Sequence, residues 1–82
     1  MSQIQWEPAA KRALARFGKD DAAVVDQVLD SVNALSHNPR PSGALDCGGG
    51  NHRIHVGRYR VWYTLKQEKP VVIAIDLVGR LQ

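Results

Sequence analysis

Cysteine is almost missing from this chain of 82 residues, which contains only Cys47. A single cysteine forms no disulfide within the chain, and no Cys/His cluster accompanies it, so we expect neither a metal nor a cofactor. Long hydrophobic runs are missing too, since no stretch approaches the roughly 20 apolar residues of a membrane span. The first apolar run is interrupted by Glu7, Lys11 and Arg12, unlike a secretory signal. These absences predict a cytoplasmic protein that does not bind membranes.

Acidic residues are scarce in the second half of the chain. Residues 51–82 hold six Lys and Arg against two acids, whereas residues 1–50 hold five against six. A basic region of this kind suits a nucleic acid or an acidic protein segment. A solvated basic surface without a partner is the alternative. The length predicts one domain over residues 1–82.

The hydrophobic pattern changes its period along the chain. Up to residue 37 apolar side chains recur at helical spacing, and from residue 52 onward they alternate as in strands. Gly18 is expected to end the first helix, and Asp20 or Asp21 to cap the second. The predicted elements are a strand at Gln3–Trp6, helices at Pro8–Phe17 and Asp20–His37, a loop over Asn38–Gly50, and strands at His52–Val56, Tyr59–Lys66 and Val71–Val78.

This β-α-α-β-β-β order predicts an α+β fold. Two N-terminal helices should pack on one face of a small, mostly antiparallel sheet, because that arrangement buries both apolar stripes. The sequence does not define where the first strand joins the sheet. Alternation assigns Tyr59, Val61 and Tyr63 to the helix-covered face, and it assigns Leu77 there as well.

The opposite sheet face is predicted to carry the chemistry. It should present Arg53, His55, Arg60 and Trp62, and we expect Arg80 among them. Arginine offers fork-shaped donors for phosphate, tryptophan stacks on bases, and histidine exchanges a proton near neutral pH. The alternative is an ordinary polar sheet face, which explains an exposed tryptophan least well.

Three blocks of the sequence resemble the RelE/ParE toxin family. The segment at 38–43, NPRPSG, resembles the loop that follows the long helix in these toxins. The segment at 53–63, RIHVGRYRVWY, is similar to their central hairpin, and LVGR at 77–80 is similar to their closing strand. The spacing between the blocks also matches, so the resemblance covers essentially the whole chain.

The resemblance implies the fold predicted above and a protein that arrests growth until a co-encoded, acidic antitoxin neutralises it. RelE-like members cleave mRNA on the ribosome without a metal, by attack of the RNA 2′-hydroxyl on the adjacent phosphate. ParE-like members inhibit DNA gyrase and cleave no RNA. We expect the RelE-like activity, with gyrase inhibition as the alternative.

The resemblance also implies roles for individual residues. His55, Arg60 and Arg80 would be catalytic, and Arg53 would bind substrate. Apart from the resemblance, we also expect Trp62 and Arg58 to bind substrate. Leu81 stands where many RNA-cleaving members carry a second basic residue, and no terminal aromatic follows it. A weak or inactive toxin is therefore a third interpretation.

Overall fold

The computed structural model describes residues 3–81 and has two helices followed by most of a mixed sheet. The α+β class and the order of the predicted elements are confirmed, with one strand added. The elements are β1 (Gln3–Trp6), α1 (Pro8–Asp20), α2 (Ala22–Ala34), β2 (Leu45–Gly48), β3 (Asn51–Val56), β4 (Tyr59–Glu68) and β5 (Val71–Arg80).

The sheet has five strands in the order β1-β5-β4-β3-β2. The first strand, whose place the sequence left open, lies parallel to β5, and the other neighbouring pairs are antiparallel. β2 falls within the segment that we predicted as loop. Its residues include Asp46 and Gly48, which have poor strand propensity, and it forms because a tight turn folds it back onto β3.

The helices differ from their predicted bounds for reasons that packing supplies. α1 continues through Gly18 to Asp20. A Cβ at Gly18 would lie 2.6 Å from a methyl group of Val25, so this glycine permits close helix packing and does not end the helix. α2 is shorter than predicted, and Asp21, at its N-cap, makes no side-chain capping bond. The Asp21 carboxylate instead accepts a long hydrogen bond of 3.4 Å from the Tyr59 hydroxyl.

The core lies between the two helices and one face of the sheet. The predicted helical stripes are buried except for Phe17 and Val25, which are half-buried, and Leu29, which is exposed. The alternating residues predicted for the helix-covered face of β3 and β4 are all buried. Burying one such aliphatic side chain contributes about 1.5–3 kcal/mol. The buried residues that join helices and sheet include Leu14, Val28, Leu35, Tyr59, Val61, Ile73 and Ile75.

A β-bulge in β5 overturns part of the predicted face assignment. Trp62 pairs with Leu77 and Tyr63 pairs with Ile75, so Asp76 is the extra residue between them. An extra residue reverses the alternation beyond it. Leu77 is therefore 45% exposed on the uncovered face, whereas Val78 is buried. Arg80, which we expected on the uncovered face, pairs with the buried Tyr59 and lies on the helix side.

Candidate nucleic-acid interface

Strand register brings four of the predicted residues together on the sheet face that the helices leave uncovered, hereafter the open face. His55 of β3 lies directly opposite Arg60 of β4, and Arg53 lies opposite Trp62. Side chains of directly opposed residues have Cβ atoms about 4.5–5.5 Å apart. We call these four residues the open-face cluster.

Within the described residues, the side chains of the two arginines of this cluster form no hydrogen bond and no ion pair. Arg53 and Arg60 are half-buried, and the Nε atom of each is buried without a hydrogen bond. Within residues 3–81 the one ion pair joins Arg40 to Glu68, away from the cluster. A buried donor without an acceptor is unfavourable, so both guanidinium groups are suited to bind an anion such as a phosphate.

Trp62 owes its position to a glycine on the neighbouring strand. A Cβ at Gly79 would lie 3.0 Å from Cζ3 and 3.3 Å from Cη2 of the Trp62 indole. The ring therefore rests on the backbone of β5, where a larger side chain would displace it. Gly79 is opposite Arg60, so the same glycine also leaves space beside that guanidinium. The sequence marked Gly79 only as part of a family-like block.

His55 lies at the margin of the open face, beside a groove. β3 pairs with β2 only from Asn51 to Arg53, so the outer edge at His55 has no partner strand among the described residues. The groove there has a volume of about 510 Å³. Its lining combines α2, the following loop and β3, and includes Ser31, Leu35, Pro41, Ile54 and His55. His55 is exposed to solvent on this side.

The loop that borders the groove is fixed from beneath by Tyr63. The buried Tyr63 hydroxyl donates a hydrogen bond of 2.7 Å to the carbonyl oxygen of Pro39. Burial raises the pKa of the Tyr63 hydroxyl above its ordinary value of 10.0, and the Arg40 guanidinium opposes part of this shift. His52 stacks on the Tyr63 ring at 5.3 Å, and its Nδ1 lies 2.8 Å from the carbonyl oxygen of Gly50. His52 therefore supports the core and not the open face.

The other two predicted site residues lie outside the open-face cluster. The guanidinium carbon of Arg80 is 5.4 Å from the centre of the Phe17 ring on the helix side, in cation–π geometry. Arg58 is exposed in the turn between β3 and β4, and its carbonyl accepts a hydrogen bond of 2.7 Å from the Leu81 amide. Of the predicted catalytic residues, only His55 and Arg60 are neighbours.

Two leucines that sequence reasoning did not assign to the site extend the open-face cluster. Leu45 of β2 is opposite Arg53, and Leu77 of β5 is opposite Trp62, so these four side chains form one row across the sheet. The leucines are 48% and 45% exposed. No signal in the sequence marked Leu45, because β2 itself was predicted as loop.

The described residues contain neither a candidate metal site nor a candidate membrane-spanning helix. Residues 3–81 contain no group of three or more His, Cys, Asp or Glu side chains placed to hold a metal ion. No helix within that range is long and apolar enough to span a membrane.

Comparison with known proteins identifies the family. Residues 4–80 match the family model of the ParE toxin of the type II toxin–antitoxin system parDE. This match covers nearly the whole chain, and the chain therefore belongs to that toxin family. Among curated protein sequences, none matches it.

Three solved structures share the fold. A YoeB/ParE toxin from Agrobacterium tumefaciens superposes with a TM-score of 0.80 at 13% identity, covering 98% of this chain and 99% of that one. The archaeal RelE–RelB complex from Pyrococcus horikoshii OT3 gives 0.76 at 23% identity, covering 96% and 93%. The isolated RelE toxin of E. coli gives 0.70 at 21% identity, covering 96% and 83%. At these identities the likeness shows the fold.

Proposed function

We propose that this toxin is a RelE-like endoribonuclease that cleaves mRNA on the ribosome without a metal ion. The observation that carries the proposal is the pairing of His55 with Arg60, next to Arg53, with the Nε atom of each arginine buried and without a hydrogen bond to any residue in the range 3–81. A proton acceptor and one phosphate ligand are then within reach of one phosphodiester, and a second phosphate ligand lies beside them for the neighbouring phosphate. Cleavage on the ribosome, as opposed to free RNA, follows from the resemblance to RelE-like toxins.

In the proposed reaction, the RNA 2′-hydroxyl attacks the adjacent phosphorus while His55 accepts its proton. The bond from the 2′-oxygen to phosphorus forms, and the bond from phosphorus to the 5′-oxygen breaks. The 5′-oxygen leaves with a proton from water, which gives a 2′,3′-cyclic phosphate and a 5′-hydroxyl end. Histidine suits the proton transfer because it changes charge near neutral pH.

The remaining residues of the open face bind and orient the RNA. Arg60, opposite His55, neutralises the negative charge that develops on the phosphate in the transition state. Arg53 holds a neighbouring phosphate, and the indole of Trp62 stacks on a base. Arg58, exposed at the hairpin turn, adds a further phosphate contact. Arg80 lies on the helix side and takes no part in this scheme.

A second candidate is inhibition of DNA gyrase by a toxin without catalytic chemistry. The specific observation that favours it is the position of Arg80, because one of three residues expected at the reacting phosphate faces the other side of the sheet. A surface that only binds a protein or DNA does not need that third charge.

The partner we propose is a cognate, acidic antitoxin that covers the open face. The similar archaeal toxin was solved as a RelE–RelB complex. On this chain, the exposed side chains of Leu45 and Leu77 lie on either side of Arg53 and Trp62. An antitoxin segment could therefore place its acids at the arginine and its apolar side chains at the leucines. A partner that binds only the folded toxin at 100 times its Kd adds about 2.7 kcal/mol of stability. An unchanged melting temperature at saturating antitoxin contradicts this proposal.

The nuclease proposal is tested with ribosomes translating a defined message, by mapping new 5′ ends through primer extension. Loss of the Arg60 donor should reduce cleavage about 10²–10³-fold in Arg60→Ala. Loss of the proton acceptor should reduce cleavage about 10²–10⁴-fold in His55→Ala. The control is Lys66→Ala, which removes one exposed charge from the same strand. An intact message together with blocked gyrase supercoiling would establish the second candidate instead.

A further inference from the structure

We propose that the outward side of α1 is a second nucleic-acid surface, which binds the phosphate backbone of a duplex and is separate from the open face. Arg12, Arg16 and Lys19 are all exposed and follow one another at helical spacings of four and three residues. Their positions rise over about 10 Å of the helix axis, at about 1.5 Å per residue. None forms an ion pair with any residue in the range 3–81. We call these three residues the α1 ridge.

Because of the bulge in β5, Arg80 lies on the helix side and extends the α1 ridge beyond Arg16. The guanidinium carbons of Arg16 and Arg80 lie 5.3 and 5.4 Å from the centre of the same Phe17 ring. Two like charges held at one aromatic ring, neither of them in an ion pair within residues 3–81, concentrate positive potential on the helix side. A polyanion is the ligand that relieves this repulsion.

Two charges of the α1 ridge act against the stability of the helix that carries them. Arg12 and Arg16 are a like-charged pair four residues apart, which destabilises a helix. Lys19 lies in the last turn, where the helix dipole favours a base. Charges that work against folding, as those of Arg12 and Arg16 do, are expected where they serve a bound partner.

The chemistry of the α1 ridge favours nucleic acid over protein. Protein interfaces depend on large apolar anchors, and the exposed large hydrophobic residues of the described chain are Leu29, Leu45 and Leu77, none of which is on α1. The exposed acid Asp20 limits the surface at the C-terminal end of α1, and the exposed acids Asp26 and Asp30 of α2 limit it on the side of that helix. The duplex therefore approaches over α1. Phosphates of an RNA or a DNA duplex fit equally, and the experiment separates the two.

The test measures affinity for an RNA and a DNA duplex of about 20 base pairs as a function of salt, since each phosphate contact contributes about 0.9 to the slope of log K against log salt. All proteins carry His55→Ala, so cleavage does not enter the measurement and a failure of the nuclease proposal leaves the result readable. The variant is Arg12→Gln with Arg16→Gln. The matched control is Lys66→Gln with Lys69→Gln, which removes the same charge from the far end of β4 and its turn.

We expect the slope for the α1 variant to be lower by about 2, and the control to match the parent protein. A larger effect on the RNA duplex assigns the α1 ridge to structured RNA, and a larger effect on the DNA duplex assigns it to DNA. An equal loss in the control, an unchanged slope, or no duplex binding by the parent overturns the proposal. The proposal is also overturned if the α1 variant loses affinity for poly-glutamate but keeps its affinity for both duplexes, because the ligand would then be an acidic protein. If the double variant does not fold, Arg12→Gln alone decides, with a slope change of about 1.

Discussion

Replacing Arg80 by alanine separates the two faces of the sheet in one experiment. The structure places the Arg80 guanidinium carbon 5.4 Å from the Phe17 ring centre and pairs the residue with Tyr59 on the helix side. An exposed cation–π contact contributes about 0.5–1 kcal/mol. Arg16 lies over the same ring at 5.3 Å, so repulsion between the two charges moves the expected loss toward the lower end of that range.

For a domain of this size, about 0.5 kcal/mol corresponds to a melting temperature lower by roughly 2–4 °C. We therefore expect Arg80→Ala to melt slightly below the parent protein, as measured by circular dichroism. With ribosomes in excess, so that binding through the α1 ridge does not limit the rate, its cleavage rate should equal that of the parent, whereas Arg60→Ala should lose nearly all activity. Lys66→Ala, which removes one exposed charge without an aromatic contact, controls for net charge in both measurements.

The opposite pattern would refute the reasoning. If Arg80→Ala abolished cleavage and left the melting temperature unchanged, the guanidinium would have to act at the reacting phosphate. The register in which Asp76 bulges out of β5 would then be wrong for the active protein.

Three further predictions concern the core, the turn and the edge of the open face. Burial raises the pKa of the Tyr63 hydroxyl, so the stabilisation that this group contributes is complete below its ordinary pKa of 10.0 and is lost as pH rises through the folded pKa. Tyr63→Phe should remove this alkaline fall in the free energy of unfolding, measured with urea. The same variant should cost about 1 kcal/mol of stability at neutral pH, because a hydrogen bond is lost. Gly50 has φ +85° and its Cβ would lie 3.0 Å from a backbone oxygen, whereas Gly49 at φ +61° has room, so Gly50→Ala should lower the urea midpoint more than Gly49→Ala. Leu81→Arg should add a cation near Arg60 and raise the rate of mRNA cleavage; an unchanged rate would mean that position 81 lies out of reach of the phosphate.

The sequence predicted the parts of the fold in which one regular pattern continues without interruption. In β4 the alternation from Tyr59 to Leu65 is strict, and both of its faces are as expected. β3 follows the same rule, so the open-face cluster could be assembled from sequence alone. A regular period fixes which side chains share a face, because each additional residue must agree with those before it.

The parts that could not be predicted depend on tertiary contacts. Gly18 was taken as a helix end, but its role is set by Val25 on the next helix. β2 carries no strand pattern, and it forms because β3 offers an edge. In both cases local propensity is weak and a neighbouring element decides the outcome.

The bulge at Asp76 has the largest consequence for function, although it involves one residue. β5 is apolar on both sides of it, so no break in the sequence pattern indicates where the alternation reverses. With a regular strand, Arg80 would face the open side; with the bulge, Gly79 faces it and leaves room for the Trp62 ring. The sheet thus exchanges a third cation at the open face for an ordered aromatic and transfers that cation to the α1 ridge. Catalysis by His55 must then depend on the charges of β3 and β4. Arg60 is the phosphate ligand that lies directly opposite His55.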